Sequence, residues 1–448
     1  MRQKRVIQRD GPFLHLQKEH MFAIIQNERG DGVMLVYHVD VNSAYLSWTA
    51  AALLENGYGK DIRDIPSAIA GDPENRHGII LAKSIPAKKY GITTAESLME
   101  ARQKCPELAV YPPDYDHFLM CSNAMYDILS EYTDRIERYS VDECFLDCTY
   151  TKVCREKPVE TAYEIKERIK HELGFTVNIG IGPNKLLAKM AGELKKPDMV
   201  HTIWMDEVKK KMWPLPAGEL FMVGRASERK LKNLGIYTIG QLAQADENIL
   251  HAMMKSHGNL IHAYANGIDL SPVTMNDEII QKGVGNSMTF SYDLTSQEEI
   301  HQEALALCER VGMRLRKLKR RASLVSVHLR SNEFFRKSHQ IQLQSFICTT
   351  DEIYQVAVEL IDEVWKGNPI RQMGISVSGF APADQVQMTI FDNRNKAILE
   401  ELDAAVDRIR LRFGNESIIR GTFANTGIKP IEGGVNDGNY LMMGGYKL

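Results

Sequence analysis

Residues 34–57 read MLVYHVDVNSAYLSWTAAALLENG, and their pattern changes once, in the middle. Through Asn42 the residues alternate and are rich in β-formers, which predicts a buried strand. From Ser43 the apolar positions switch to helical spacing, and the pattern stops at Gly57. Either Ser43 or Asn42 can cap that helix. A strand that ends on a carboxylate, Asp40, and turns at once into a helix is the nucleus from which the rest of the chain is read.

Upstream, residues 1–33 show little periodicity and read as an extension, without ordered structure of their own. Downstream, GIILA at 78–82 is a second strand candidate, followed by the basic SIPAKKYG (84–91) and a helix over about 94–104. A further helix is expected over about 117–135, where Phe118, Cys121, Met125, Ile128, Leu129 and Tyr132 fall on one face. IERYSVDECFLDCT (136–149) reads as two short strands with a sharp bend, and a helix over 159–173 leads to the strand FTVNIGI (175–181). Strands and helices mixed in this way to about residue 200 predict an α+β domain. Residues 207–272 are helical with short loops. Residues 283–382 give strand, long helix, two strands, helix and strand, a βαββαβ order that makes a small four-stranded sheet with two helices packed on it. An amphipathic helix over 393–413 and a Gly-rich tail close the chain, and no internal repeat is found.

A length of 448 residues accommodates two to four domains, and 44% hydrophobic and 25% charged residues are ordinary for a globular protein. No apolar run reaches the length of a membrane span. The first ten residues are basic but lack the apolar core of a secretory signal. The seven cysteines include no C-x-x-C pair, so neither a disulfide framework nor a structural zinc site is expected, and a reducing cytoplasm is the expected compartment. A net charge of −3 hides an asymmetry: from Arg310 to Gln340, ten basic residues stand against the single carboxylate Glu333. Such a concentration is what a polyanion track requires, whereas a merely solvated helix face mixes both signs.

Three carboxylates are candidates for chemistry, although an Asp and a distant Asp-Glu pair taken alone fit surface turns as well. Nucleotidyl transfer uses two Mg²⁺ ions to activate a hydroxyl and neutralise a leaving pyrophosphate, and such hard cations take carboxylate oxygens. Asp40 on one strand and the pair Asp142-Glu143 on another can converge at a sheet edge. Neighbours in a regular strand point to opposite faces, so Asp142 and Glu143 cooperate only if the chain bends there.

HVDVNSAYLSW (38–48) and YSVDECFLDCT (139–149) resemble the two metal-binding motifs of the Y-family DNA polymerases, the DinB and UmuC superfamily. VNIGIGPNKLLAKMAGELKKPDMV (177–200) resembles the same family's segment in which a lysine faces the incoming triphosphate. The order and spacing of the blocks match over about 350 residues from Met34 onward. The resemblance implies a right-hand polymerase: residues 34–58 and 106–206 as palm, 59–105 as fingers, 207–275 as thumb, 282–382 as little finger. Residues 383–448 would hold a clamp-binding peptide, the amphipathic helix and the tail.

The resemblance also implies site residues. Asp40, Asp142 and Glu143 would be catalytic Mg²⁺ ligands, with the Val41 carbonyl contributing to the second ion. Tyr45 takes the place of the steric gate, whose ring collides with a ribose 2′-hydroxyl. Lys185 would pair with triphosphate oxygens, and Lys88 stands where many relatives have an arginine that reaches the same group. Ser43, Ala44 and Ile85 depart from the aromatic residues of many relatives, which removes a tyrosine contact to the triphosphate. In ELFMVGRASERKLKNLGI (219–236), which looks like a helix-hairpin-helix, Gly224 and Arg225 would meet DNA phosphates or form only a structural turn.

In the little finger, Arg320, Arg321 and Arg330, with Ser323, Ser326, His328 and Ser331, would follow the DNA backbone. Gln387, Met388, Ile390 and Phe391 lie in a stretch, 387–391, that resembles the peptide by which bacterial polymerases hold a sliding clamp. The expected function is translesion DNA synthesis by a monomer that binds primer-template DNA, a deoxynucleoside triphosphate and the clamp, with no membrane. VDVN and AKKYGI place the chain nearer the UmuC-type branch. Two rivals remain at this stage: an inactive DNA- and clamp-binding accessory protein, and a different two-metal enzyme such as a nuclease or cyclase.

Overall fold

The computed structural model describes residues 34–383 and 394–431, except 75, 77, 276, 277, 279, 280 and 425; the extension 1–33 and the stretch 387–391 lie outside them. Along the described chain the strands are β1 Val36–Val41, β2 Ser67–Ala70, β3 Ile80–Lys83, β4 Ala109–Tyr111, β5 Ile136–Arg138 and β6 Glu143–Asp147. They continue with β7 Val177–Gly182, β8 Val200–Thr202, β9 Gly283–Leu294, β10 Arg320–Ser331, β11 Arg336–Ile347 and β12 Ile370–Pro382. The described residues form two compact units, 34–57 with 117–278, and 58–116 with the remainder.

The first unit is built on a five-stranded sheet in the order β5-β6-β1-β7-β8. β1, every residue of it buried, pairs antiparallel with β6 and β7. The helix Lys185–Glu193 packs on β7 because glycines let the two backbones meet: a Cβ on Gly180 would stand 1.9 Å from the Ala188 carbonyl oxygen. Short helices between 208 and 265 close a separate core over Leu186, Leu187 and Met190.

The start of the first helix differs from expectation. Ser43 occupies its cap position in the left-handed region, φ 51°, and makes no side-chain cap bond. Instead the Ser47 hydroxyl donates back to the Asn42 carbonyl at 2.5 Å.

The second unit contains a three-stranded sheet, β3-β2-β4, of which the sequence had marked only β3, and a four-stranded sheet, β11-β10-β12-β9. The helices Gln297–Lys317 and Thr350–Val364 cover one face of the latter, completing the βαββαβ unit over a core that includes Val325, Val327, Met373 and Ile375. The amphipathic helix Arg394–Phe413 docks on the helix Gln297–Lys317 through ion pairs: Arg316 with Asp403 and Asp407, and Arg410 with Glu309. Among the described residues no helix is long and apolar enough to cross a membrane.

Candidate active site

Asp40, the fifth residue of β1, lies directly opposite Glu143, the first residue of β6. The requirement for a bend between Asp142 and Glu143 is met by a tight turn: the N–H groups of Tyr139 and Ser140 both donate to the Glu143 carbonyl, at 2.9 and 3.1 Å. Asp142 therefore sits in the turn, outside strand alternation, and its carbonyl accepts from Val41 N–H at 3.0 Å. Sequence, turn and register together bring the three carboxylates to one end of the β1–β6 pair.

Each carboxylate is turned to its own partner. Lys196 donates to Asp40 Oδ2, and the Ser140 hydroxyl donates to Asp142 Oδ1 at 2.6 Å. Glu143 Oε2 is 2.5 Å from Lys189 Nζ and 3.2 Å from Nε2 of the fully buried His38. Burial pushes the carboxyls of Asp40 and Asp142 above the usual range, against the opposing pull of Lys196 and Ser140 respectively. At Glu143 burial acts the same way, but the His38 hydrogen bond and the charge and hydrogen bond of Lys189 outweigh it and hold the pKa down to about 2. Burial drives His38 toward its neutral form.

Three hard oxygen donors at one strand end suit a divalent cation such as Mg²⁺. With each turned to a separate partner, no group of three His, Cys, Asp or Glu side chains stands assembled as a metal cage among the described residues. The cations drawn to the carboxylates, Lys189 and Lys196, were not picked out from the sequence. The signal was available: Lys189 follows Lys185 by one helical turn, on the same block.

Lys185 itself is elsewhere. Its Nζ lies 2.7 Å from both carboxylate oxygens of Glu137, in a buried pair that also touches the Pro272 carbonyl at 3.4 Å. Asn184 donates to the Gly267 carbonyl at 2.9 Å, and Thr274 N–H to Glu137 at 2.8 Å. The GPNK turn thus pins the segment 267–274 against the sheet. Tyr45, half-buried, stacks on Phe118 with ring centroids 4.6 Å apart. Gly224 caps the helix Arg225–Asn233 with open space around it, and Arg225 is exposed.

In the second unit, Lys88 is exposed on the short helix Ile85–Lys89, which Ser84 caps. The face of the four-stranded sheet turned away from its two helices is polar. Its register lines up Gln340, Ser326, Ser376 and Gly285, then Ser338, His328, Gly374 and Ser287, then Arg336, Arg330, Gln372 and Thr289. Gly374 makes room for the His328 ring, since a Cβ there would stand 1.8 Å from it. Arg330 belongs to this face, and its guanidinium lies 4.6 Å over the Phe334 ring. Ser323 and Ser331, both buried beside strand irregularities, do not join these rows. Arg320 is exposed, whereas Arg321 is held by Glu400 in two bonds of 2.6 Å. The charge surplus of 310–340 is therefore partly neutralised within the chain, by the helix Arg394–Phe413.

Comparison with known proteins agrees with this architecture. The impB/mucB/samB family matches residues 39–193, and its C-terminal domain matches 281–390. DNA polymerase IV of Clostridium acetobutylicum is 49% identical over 387 residues, 86% of this chain and 97% of that protein. DNA polymerase IV of Acetivibrio thermocellus is 37% identical over 391 residues, 86% and 96%. A solved Y-family DNA polymerase chimera of Dbh and Dpo4 superposes with a TM-score of 0.68 over 78% of this chain and all of its own, at 22% identity, which speaks for the fold. None of these separates the UmuC-type branch from its neighbours. With a relative of nearly half-identical sequence spanning almost all of its own length, and with the fold of the solved Y-family enzymes, the chain belongs to the impB/mucB/samB family and is a Y-family DNA polymerase.

Proposed function

We propose that the chain adds deoxynucleotides to a primer on a DNA template, past lesions as well as along intact DNA, by two-metal transfer at Asp40, Asp142 and Glu143. The observation that carries this reading is the cross-strand pair Asp40–Glu143 with Asp142 in the adjoining turn, all three drawing cations or hydroxyls. Polymerases of this family need divalent metal ions, and two Mg²⁺ held by these carboxylates and the Val41 carbonyl would activate the primer hydroxyl and stabilise the pyrophosphate.

The chain's own side chains do the rest. Lys189 and Lys196 balance the carboxylate charge of the free enzyme. Lys196, about one-third exposed and just past the helix Lys185–Glu193, is better suited than the buried Lys185 to meet triphosphate oxygens. Lys88 is a second candidate for the same group. Tyr45 presents its ring to the sugar. Neutral His38 donates from Nε2 to the Glu143 carboxylate and keeps it oriented.

DNA is held without regard to sequence. Backbone N–H groups behind Gly224 and the Arg225 side chain suit phosphates in the thumb, 207–275. Arg330, Arg320 and the hydroxyl rows of the little finger, 282–382, suit the template backbone. The palm (34–58, 106–206) and fingers (59–105) complete a hand that works as a monomer, and residues 387–391 would tether it to a sliding clamp.

Primer extension on intact and abasic templates with Mg²⁺, beside an Asp142→Ala/Glu143→Ala double variant, tests the reading. Extension past the abasic site by the parent alone supports it. Equal extension by the double variant would sink the carboxylate assignment.

A further inference from the structure

A ring rejects a ribose hydroxyl only if it cannot recede, because a side chain free to change rotamer yields at little cost. Whatever stands behind Tyr45 therefore sets how well it discriminates. Tyr45 lies in the first turn of the helix Ala44–Glu55 and remains half-exposed. Behind it stands Phe118, 1% exposed, its ring 4.6 Å away and inclined by only 19°. Trp48, fully buried, lies 5.9 Å from Tyr45 and 5.8 Å from Phe118. Trp48 is braced in turn by Phe175, edge-on at 6.1 Å.

The position of Phe118 is fixed by more than packing. His117, its neighbour, pairs through Nε2 with the Trp48 carbonyl at 3.1 Å, so the helix Tyr115–Ser130 is tied to the helix that carries Tyr45. Cys121 contacts the same imidazole nitrogen at 3.4 Å. The wall behind the Tyr45 ring is thus rooted in two helices and in Phe175, just before β7.

We propose that Phe118 is the positioning residue of the sugar gate: its stack with Tyr45 fixes the gate ring, and rejection of ribonucleotides depends on it although it touches no substrate. This rests on the reading of Tyr45 as the gate. A leucine at 118 keeps an apolar wall but loses the parallel face and leaves space into which the tyrosine ring retreats. Deoxynucleotides, which do not press on the ring, are unaffected by that retreat.

The test is single-nucleotide insertion of dNTP and rNTP by the full chain and by Phe118→Leu, Tyr45→Ala and the double variant. The readout is the ratio of kcat/KM for the two sugars, in which any loss of active enzyme cancels. Phe118→Leu is expected to lower this ratio ~3- to 10-fold, through faster rNTP insertion, with dNTP insertion within about twofold of the parent. The double variant is expected to match Tyr45→Ala. A ratio unchanged in Phe118→Leu, or one lowered by the same factor in the Tyr45→Ala background, overturns the proposal. An unchanged ratio in Tyr45→Ala alone would instead overturn the gate reading on which it rests.

Discussion

The Lys185 ammonium is chelated by Glu137, 2.7 Å from each carboxylate oxygen, with the two side chains only 7% and 11% exposed. Two lysines eleven residues apart therefore take different parts. Lys185 is paired with Glu137 beside the segment 267–274, while Lys196 reaches Asp40 at the carboxylate end of β1.

That division makes a paired prediction. Removing one member of a buried ion pair strands the other, at a cost of about 3 kcal/mol or more. Lys185→Met is expected to lower the denaturant midpoint accordingly, with KM for dNTP within about twofold of the parent. Lys196→Met is expected to raise KM for dNTP about tenfold, the loss of a charge-assisted contact, with the smaller effect on stability. Both are read from denaturant unfolding and steady-state insertion. A raised KM in Lys185→Met and an unaltered one in Lys196→Met would return the triphosphate role to Lys185.

What the sequence made legible follows from where its signals are local. β1, the bend at 139–142 and the βαββαβ order are written in alternation and turn chemistry, and the carboxylates Asp40, Asp142 and Glu143 stand in short motifs around them. The direction of Lys185 was not legible, because a motif gives a residue and not where it points: Glu137, 48 positions earlier, captures it through strand pairing that no short window contains. β2 and β4 escaped because they are short, four and three residues, and pair with each other in parallel from 42 positions apart. The basic run 310–340 was real as composition. Its pairing with Asp403, Asp407 and Glu400 depends on where a distant helix docks.

The docking of that helix gives the second prediction. Glu309 is 3% exposed and accepts from Arg410 Nη2 and Arg420 Nε, each at 2.7 Å. Arg410→Ala removes a nearly buried partner and leaves Glu309, among the described residues, with the more exposed Arg420. Stability is expected to fall by about 3 kcal/mol, measured by denaturant unfolding. The restoring change is Arg410→Ala with Glu309→Gln, which removes the stranded charge; failure of that pair to recover stability would show that packing, not charge, held the helix.

On the open sheet face the prediction is electrostatic. A phosphate contact contributes about −0.9 to the slope of log K against log salt for duplex DNA. Arg330→Ala is expected to weaken primer-template binding for every sequence alike and to reduce the slope by about one unit, read by fluorescence anisotropy over a salt series. Arg321→Ala is expected to leave the slope unchanged, because Glu400 already holds that guanidinium. The reverse pattern would move the phosphate track to the other end of β10.

Glu303 ties stability to pH. It lies in the helix Gln297–Lys317, 9% exposed, and burial raises its pKa from 4.5 to about 7. Among the described residues it has no ion-pair partner, so nothing offsets the cost of its charge. Below about pH 4.5 the carboxyl is protonated in both the folded and the unfolded chain and imposes no penalty. Between 4.5 and about 7 the unfolded chain releases the proton while the folded chain keeps it, so stability falls as pH rises. Above 7 the penalty is complete, on the order of 3 kcal/mol. Glu303→Gln keeps the shape and removes the charge. Its denaturant midpoint is expected to match the parent's near pH 4.5 and to exceed it at pH 8.5, with the gap opening through the intervening range. Parallel pH profiles for the two proteins would mean that water reaches the carboxylate and that burial does not hold its proton.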